Sequence, residues 1–206
     1  VPCGLTRYAS RVFGDDYRDN FFACLFNLHK VTRHVLSPVG TTFTSQDSDF
    51  LVSSDPDFHP TDVLEDADGS LVVIDTGAWY KLCCPTSQLA KPDVLGAIYR
   101  IRRKSGPRVE DPRGLKLDWA GMKVADLVRL LDEPRPAVRS RAIESLGKRA
   151  GEAVAELAAT FRASSSVEAR RNAVWALTRI EGASAREAVR QALNDSEETI
   201  RQAACH

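Results

Sequence analysis

Residues 62–103 read DVLEDADGSLVVIDTGAWYKLCCPTSQLAKPDVLGAIYRIRR, and the fold of the first half of the chain turns on them. Asp62 to Leu64 and Leu71 to Asp75 are short β-prone runs. Between them lies Ala67-Asp68-Gly69-Ser70, whose Asp-Gly pair readily takes the positive φ angles of a tight hairpin. A connection of about twenty residues follows, a length that in a compact domain is usually functional or disordered. Trp79, Tyr80, Cys83 and Cys84 argue against disorder. A third strand is expected over Gly96 to Arg103, apolar at its start and carrying Arg100 and Arg102 toward its end, which suits a strand buried first and half exposed last.

Working outward, residues 3–54 read as four short strands. They are Cys3 to Tyr8, Phe21 to Phe26, Val31 to Leu36 with one wet face, and Phe50 to Val52. Strands at this spacing, separated by turn signals such as Gly14 to Asn20, indicate a β-sandwich, barrel or propeller rather than βαβ units. Residues 106–122 contain Pro107 and Pro112 and read as a linker. From Lys123 the apolar period becomes helical. Val138-Arg139 with Ala142 recurs as Ala169-Arg170 with Ala173, and again as Ile200-Arg201 with Ala204, each step being 31 residues. Such recurrence marks stacked helical repeats, whose neighbours bury a face that no single repeat can bury alone. The expected stack-facing residues are Val138, Ala142, Leu146, Ala169, Ala173, Val174 and Leu177.

The run D-x-x-x-D-x-D-G-S-L-x-V-x-D of residues 62–75, followed by G-x-I-Y-R-I at 96–101, resembles a blade of the six-bladed propellers of glucose/sorbosone dehydrogenases. More closely it resembles the exported "membrane-bound dehydrogenase" proteins of planctomycete-type bacteria, where a propeller precedes HEAT repeats and often a c-type haem domain. Gly4-Leu5, Tyr8 and Phe13, then Phe21 to Leu36, fit the same pattern. The helical recurrence resembles short HEAT repeats. The resemblance therefore implies about two blades of an incomplete β-propeller over residues 1–105, a linker over 106–122 and an all-α HEAT-repeat solenoid over 123–206. Too few blades are present to close a ring, so further blades are expected before Val1.

By that resemblance the chain is part of an exported, periplasmic sugar or alcohol dehydrogenase joined to an interaction module that takes a protein partner through its HEAT repeats. The alternative is a non-catalytic scaffold that binds a protein or glycan. Relatives that oxidise sugars use pyrroloquinoline quinone, a histidine base and arginines for the quinone. Here the nearest run, His59-Pro60-Thr61-Asp62-Val63, lacks the arginines. His59 is the candidate general base, and His59, Asp62, Asp75 and Trp79 are the candidate cofactor contacts. The competing reading is that His59 is structural and that Trp79 and Tyr80 pin the loop to the sheet. No cofactor is legible in the chain itself; quinone or haem belongs to the expected larger protein.

Other classes are excluded more simply. The composition, 43% hydrophobic and 27% charged, is ordinary for a globular protein. Residues 1–90 carry 6 Lys/Arg against 12 Asp/Glu, residues 91–122 carry 8 against 4, and residues 123–206 carry 14 against 12. No segment has the basic footprint of a nucleic-acid binder. No apolar run reaches the roughly 18 residues of a membrane helix. Cys3, Cys24, Cys83, Cys84 and Cys205 fit no zinc spacing, so no metal is expected, and Asp66-Ala67-Asp68-Gly69 lacks the remaining ligands of a calcium loop. In an oxidising compartment, Cys83 or Cys84 could reach Cys3 or Cys24 as a clamp.

Overall fold

The computed structural model describes residues 2–77, 79–81, 88–91 and 93–206, with the backbone alone for 79–81 and 88–90. An N-terminal β region is followed by an all-α region, and the chain divides into two compact units, residues Val1–Val109 and Glu110–His206.

In the first unit, β1 (Pro2–Arg7), β2 (Phe21–Leu25), β3 (Lys30–Val39) and β4 (Thr42–Val52) form an antiparallel meander in that order. A second antiparallel sheet has the order β5 (Pro60–Glu65), β6 (Leu71–Asp75), β9 (Ala97–Ile101). Between β6 and β9, β7 (Trp79–Lys81) pairs with β8 (Gln88–Ala90). The expected Asp-Gly hairpin is present: Glu65 pairs with Leu71, and Gly69 sits at φ 77° with its N–H bonded to the carbonyl of Asp66.

One core joins the two sheets. Tyr8, Phe22, Cys24 and Val31 from the first pack with Phe58, Val63, Leu71 and Val73 around it. Tyr8 is wholly buried; its hydroxyl donates to the Gly69 carbonyl at 2.7 Å and accepts the Phe13 N–H at 3.1 Å. Burial pushes the phenol up to about 12, so it stays protonated as that donor requires. The Glu65 carboxylate takes the amides of Ala9 and Ser10 at 2.5 and 2.9 Å. β1 can approach β5 closely because Gly4 has no side chain: a Cβ there would lie 2.4 Å from Asp62 Cα.

Several strand expectations need correction. The fourth strand is Thr42–Val52 rather than Phe50 to Val52, joined to β3 by a tight turn at Gly40-Thr41. Its residues up to Asp49 are exposed and polar-rich, so hydrophobic periodicity does not mark them. The wet-face reading of the third strand also fails, since Thr32 is buried whereas Leu36 is exposed. The connection after β6 contains a strand pair. Finally, β9 is an edge strand whose apolar start is the open part: Ile98 is 74% exposed, while Ile101 near its end packs against the core.

The second unit holds α1 (Val124–Arg129), α2 (Pro136–Lys148), α3 (Gly151–Ala163), α4 (Val167–Leu177), α5 (Ala183–Ala192) and α6 (Glu198–Ala204). The starts of α2, α4 and α6 are 31 residues apart, in step with the sequence recurrence. Local chemistry sets those starts. Pro136 occupies the first turn of α2, where its missing N–H costs nothing, and the Ser166 hydroxyl accepts the Ala169 N–H to cap α4. Val138, Ala142, Leu146, Ala169, Ala173, Val174 and Leu177 are all buried. Recurring Arg139 and Arg201 make equivalent bonds, each donating to carbonyls of the turn before its own helix, Glu133 and Pro134 for the former and Asp195 and Ser196 for the latter. Arg139 also lies 3.4 Å from Glu168 of α4.

Candidate functional site

The antiparallel pairing of Pro60 with Asp75 brings the entrance of β5 and the exit of β6 together, and with them His59 and Asp75. Asp75 is 7% exposed, and its Oδ1 accepts the amides of His59 and Gly77, both at 2.8 Å. Gly77 is required there. Its φ is 64°, and a Cβ would come within 2.8 Å of the backbone at Val94 to Gly96. His59 is 4% exposed, with Nδ1 lying 2.8 Å from the Gly77 carbonyl and 3.0 Å from that of Asp57. Both neighbours are acceptors, so Nδ1 carries the hydrogen and Nε2 is the basic nitrogen of the neutral ring.

The ring of His59 packs against Phe26, with centroids 4.6 Å apart, and meets His29 edge-on at 5.2 Å. His29 takes the left-handed conformation at φ 52°, and its Nδ1 lies 2.8 Å from the Phe58 carbonyl. At the rim, Lys91 pairs with Asp57 at 2.7 Å. Sequence reasoning did not reach Phe26 and His29 as neighbours of His59, because no local pattern reports a contact across about thirty residues.

Of the four candidate site residues, the structure gathers two. His59 and Asp75 meet. Asp62 is exposed, with its carboxylate accepting the Val63 amide, and no described bond joins it to the pair. The side chain of Trp79 lies outside the described residues, as do Cys83 and Cys84, so the expected clamp does too. Cys3 and Cys24 are free thiols in this structure, the Cys3 Sγ lying 3.2 Å from the Pro60 carbonyl.

Chemically the cluster is a brace: a carboxylate and an imidazole fasten two loops through backbone groups. A quinone would need guanidinium forks for its carboxylates. The described contacts of His59 and Asp75 include none. No group of three or more His, Cys, Asp or Glu able to hold a metal occurs among the described residues.

Two predictions arise from neighbouring groups. Burial works to raise the Asp68 carboxyl, but bonds from the Ser70 hydroxyl and amide, the bond from Arg102 and the charge of Arg100 outweigh it and hold the pKa down at about 2. A depressed carboxyl stabilises the fold fully above its unfolded pKa near 4 and loses that contribution as pH falls through about 2. Urea midpoints should therefore drop between those values by the equivalent of about 1 kcal/mol, after screening at this partly exposed site, and Asp68→Asn should remove that component. Separately, burial pushes the Cys24 thiol up to about 12, whereas Cys205 is exposed. Iodoacetamide at pH 8 should alkylate Cys205 in the folded protein and spare Cys24 until denaturant is added, as peptide mapping would read.

Among comparisons with known proteins, residues 2–105 match the family model described as "Domain of unknown function (DUF7133)". No curated protein and no solved structure matches.

Proposed function

The chain belongs to the DUF7133 family, and from that premise we propose that it supplies propeller blades and a HEAT-type helical stack to an exported protein, acting there as a scaffold that binds a protein or glycan. The observation that carries this reading is the state of His59. It is buried and held by two backbone carbonyls, in a cluster whose contacts fasten loops. The blade reading draws support from two successive antiparallel sheets sharing one core, and the HEAT reading from helix starts that repeat every 31 residues. Exposed flanks of such repeats commonly serve as binding surfaces.

A second reading has its own support. With Nδ1 bonded to backbone carbonyls, a base role would fall to Nε2 of His59. Together with the resemblance to sugar-oxidising propellers, this keeps a sugar or alcohol dehydrogenase as the competing proposal, with electrons passing to a haem domain outside this chain. Dye reduction by the full-length protein, with pyrroloquinoline quinone and a panel of sugars and alcohols, separates the two. The scaffold reading expects no turnover. Quinone-dependent turnover that His59→Asn abolishes without unfolding the protein would establish the dehydrogenase instead.

A further inference from the structure

In the first unit, sharing no lining residue with the His59 brace, Phe13, Asp16, Tyr17, Phe50 and Ile101 to Arg103 line an open groove of about 320 Å³. We propose that this groove binds a small organic carboxylate, its anionic head on Arg102 and Arg103 and its apolar body against the aromatic wall.

The wall is an assembled aromatic cluster. Ring centroids of Phe13 and Tyr17 are 5.8 Å apart, those of Phe13 and Phe50 6.2 Å, and those of Tyr17 and Phe50 6.3 Å. Phe13 is buried beneath, while Tyr17 and Phe50 are half-buried and offer apolar surface to the groove. At the mouth, Arg103 donates through Nη1 to the Phe13 carbonyl at 2.8 Å, which fixes where its guanidinium lies. Among the described residues no carboxylate lies within 4 Å of it. Arg102 gives one Nη2 bond to Asp68 and is 64% exposed, leaving donors for a further acceptor. The local backbone is shaped around Arg103: Gly14 sits at φ 116°, and a Cβ there would fall 2.9 Å from Arg103 Nη1 and 2.7 Å from Asp16 Oδ1.

Charge and shape name the ligand class. Two guanidinium groups face one lining carboxylate, that of Asp16, which is 72% exposed and has Arg33 3.9 Å away. Guanidinium forks match carboxylate geometry, and the aromatic wall selects an apolar body over a bare inorganic anion. The volume stands at the lower end of the range for ligand pockets, which fits a small molecule. This inference holds whether the protein is a scaffold or an enzyme.

The test uses the full chain, isotope-labelled, with benzoate as probe and the Nε–Hε signals of Arg102 and Arg103 as readout. Benzoate should shift both signals saturably, and Arg102→Gln and Arg103→Gln should each weaken binding about tenfold or more. Because Arg103 also holds the Phe13 carbonyl, the exposed Arg102→Gln variant carries the decision, its lost bond to Asp68 being expected to lower the melting temperature only slightly. Absence of a saturable shift, equal binding of benzyl alcohol or inorganic phosphate, or benzoate binding unaffected in Arg102→Gln would each overturn the proposal.

Discussion

Leu177→Ala is expected to lower unfolding stability by about 2–5 kcal/mol, read as a fall in the urea midpoint with little change in slope. Leu177 lies on α4, 1% exposed, within a core that also takes Leu146, Leu157, Ala173 and Ile200 from α2, α3, α4 and α6. The removed side chain leaves a cavity between elements that cannot all close on it, because shifting α4 would also disturb the bond from buried Asn172 to the Leu131 carbonyl at 2.8 Å. Near-neutral behaviour would mean that the helices are not packed against one another as described. Val167→Ala, 38% exposed on the same helix, is the control and should change stability little.

Asp75→Ala should cost about 2–6 kcal/mol by a different route. Its Oδ1 is the acceptor for two backbone amides, and each donor left unsatisfied in a buried site costs about 1–3 kcal/mol. Asp75→Asn keeps an acceptor oxygen and should lose markedly less. The pair also probes the function of the site. If the His59 brace is structural, both substitutions should act on stability in proportion to the bonds lost. If His59 and Asp75 also serve catalysis, Asp75→Asn should depress turnover of the full-length protein far beyond its effect on the urea midpoint.

The class of each half was legible in the sequence because its signals are local. The Asp-Gly pair specifies its turn through the φ angle that Gly69 must take. The 31-residue recurrence of Val138, Ala169 and Ile200 reports a repeated helix because each copy must bury the same face. His59 and Asp75 were legible as candidates only by resemblance. What they do was not, since the acceptors of the His59 hydrogen are backbone carbonyls, and any residue at 57 or, steric limits apart, at 77 could provide one.

Tertiary structure alone decided the rest. Ile98 and Ile101, three residues apart in one strand, face opposite sides of the sheet, one open and one packed, and only the packing of the two sheets decides which side is covered. The exposed part of β4, Thr42 to Asp49, escaped notice for a related reason: strand faces that lie in water impose no alternation, so their pairing with β3 leaves almost no mark on composition. The groove at Arg103 is the extreme case. Phe13, Phe50 and Arg103 are separated by tens of residues, and only the folding of two sheets onto one core brings an aromatic wall and a guanidinium group to the same place.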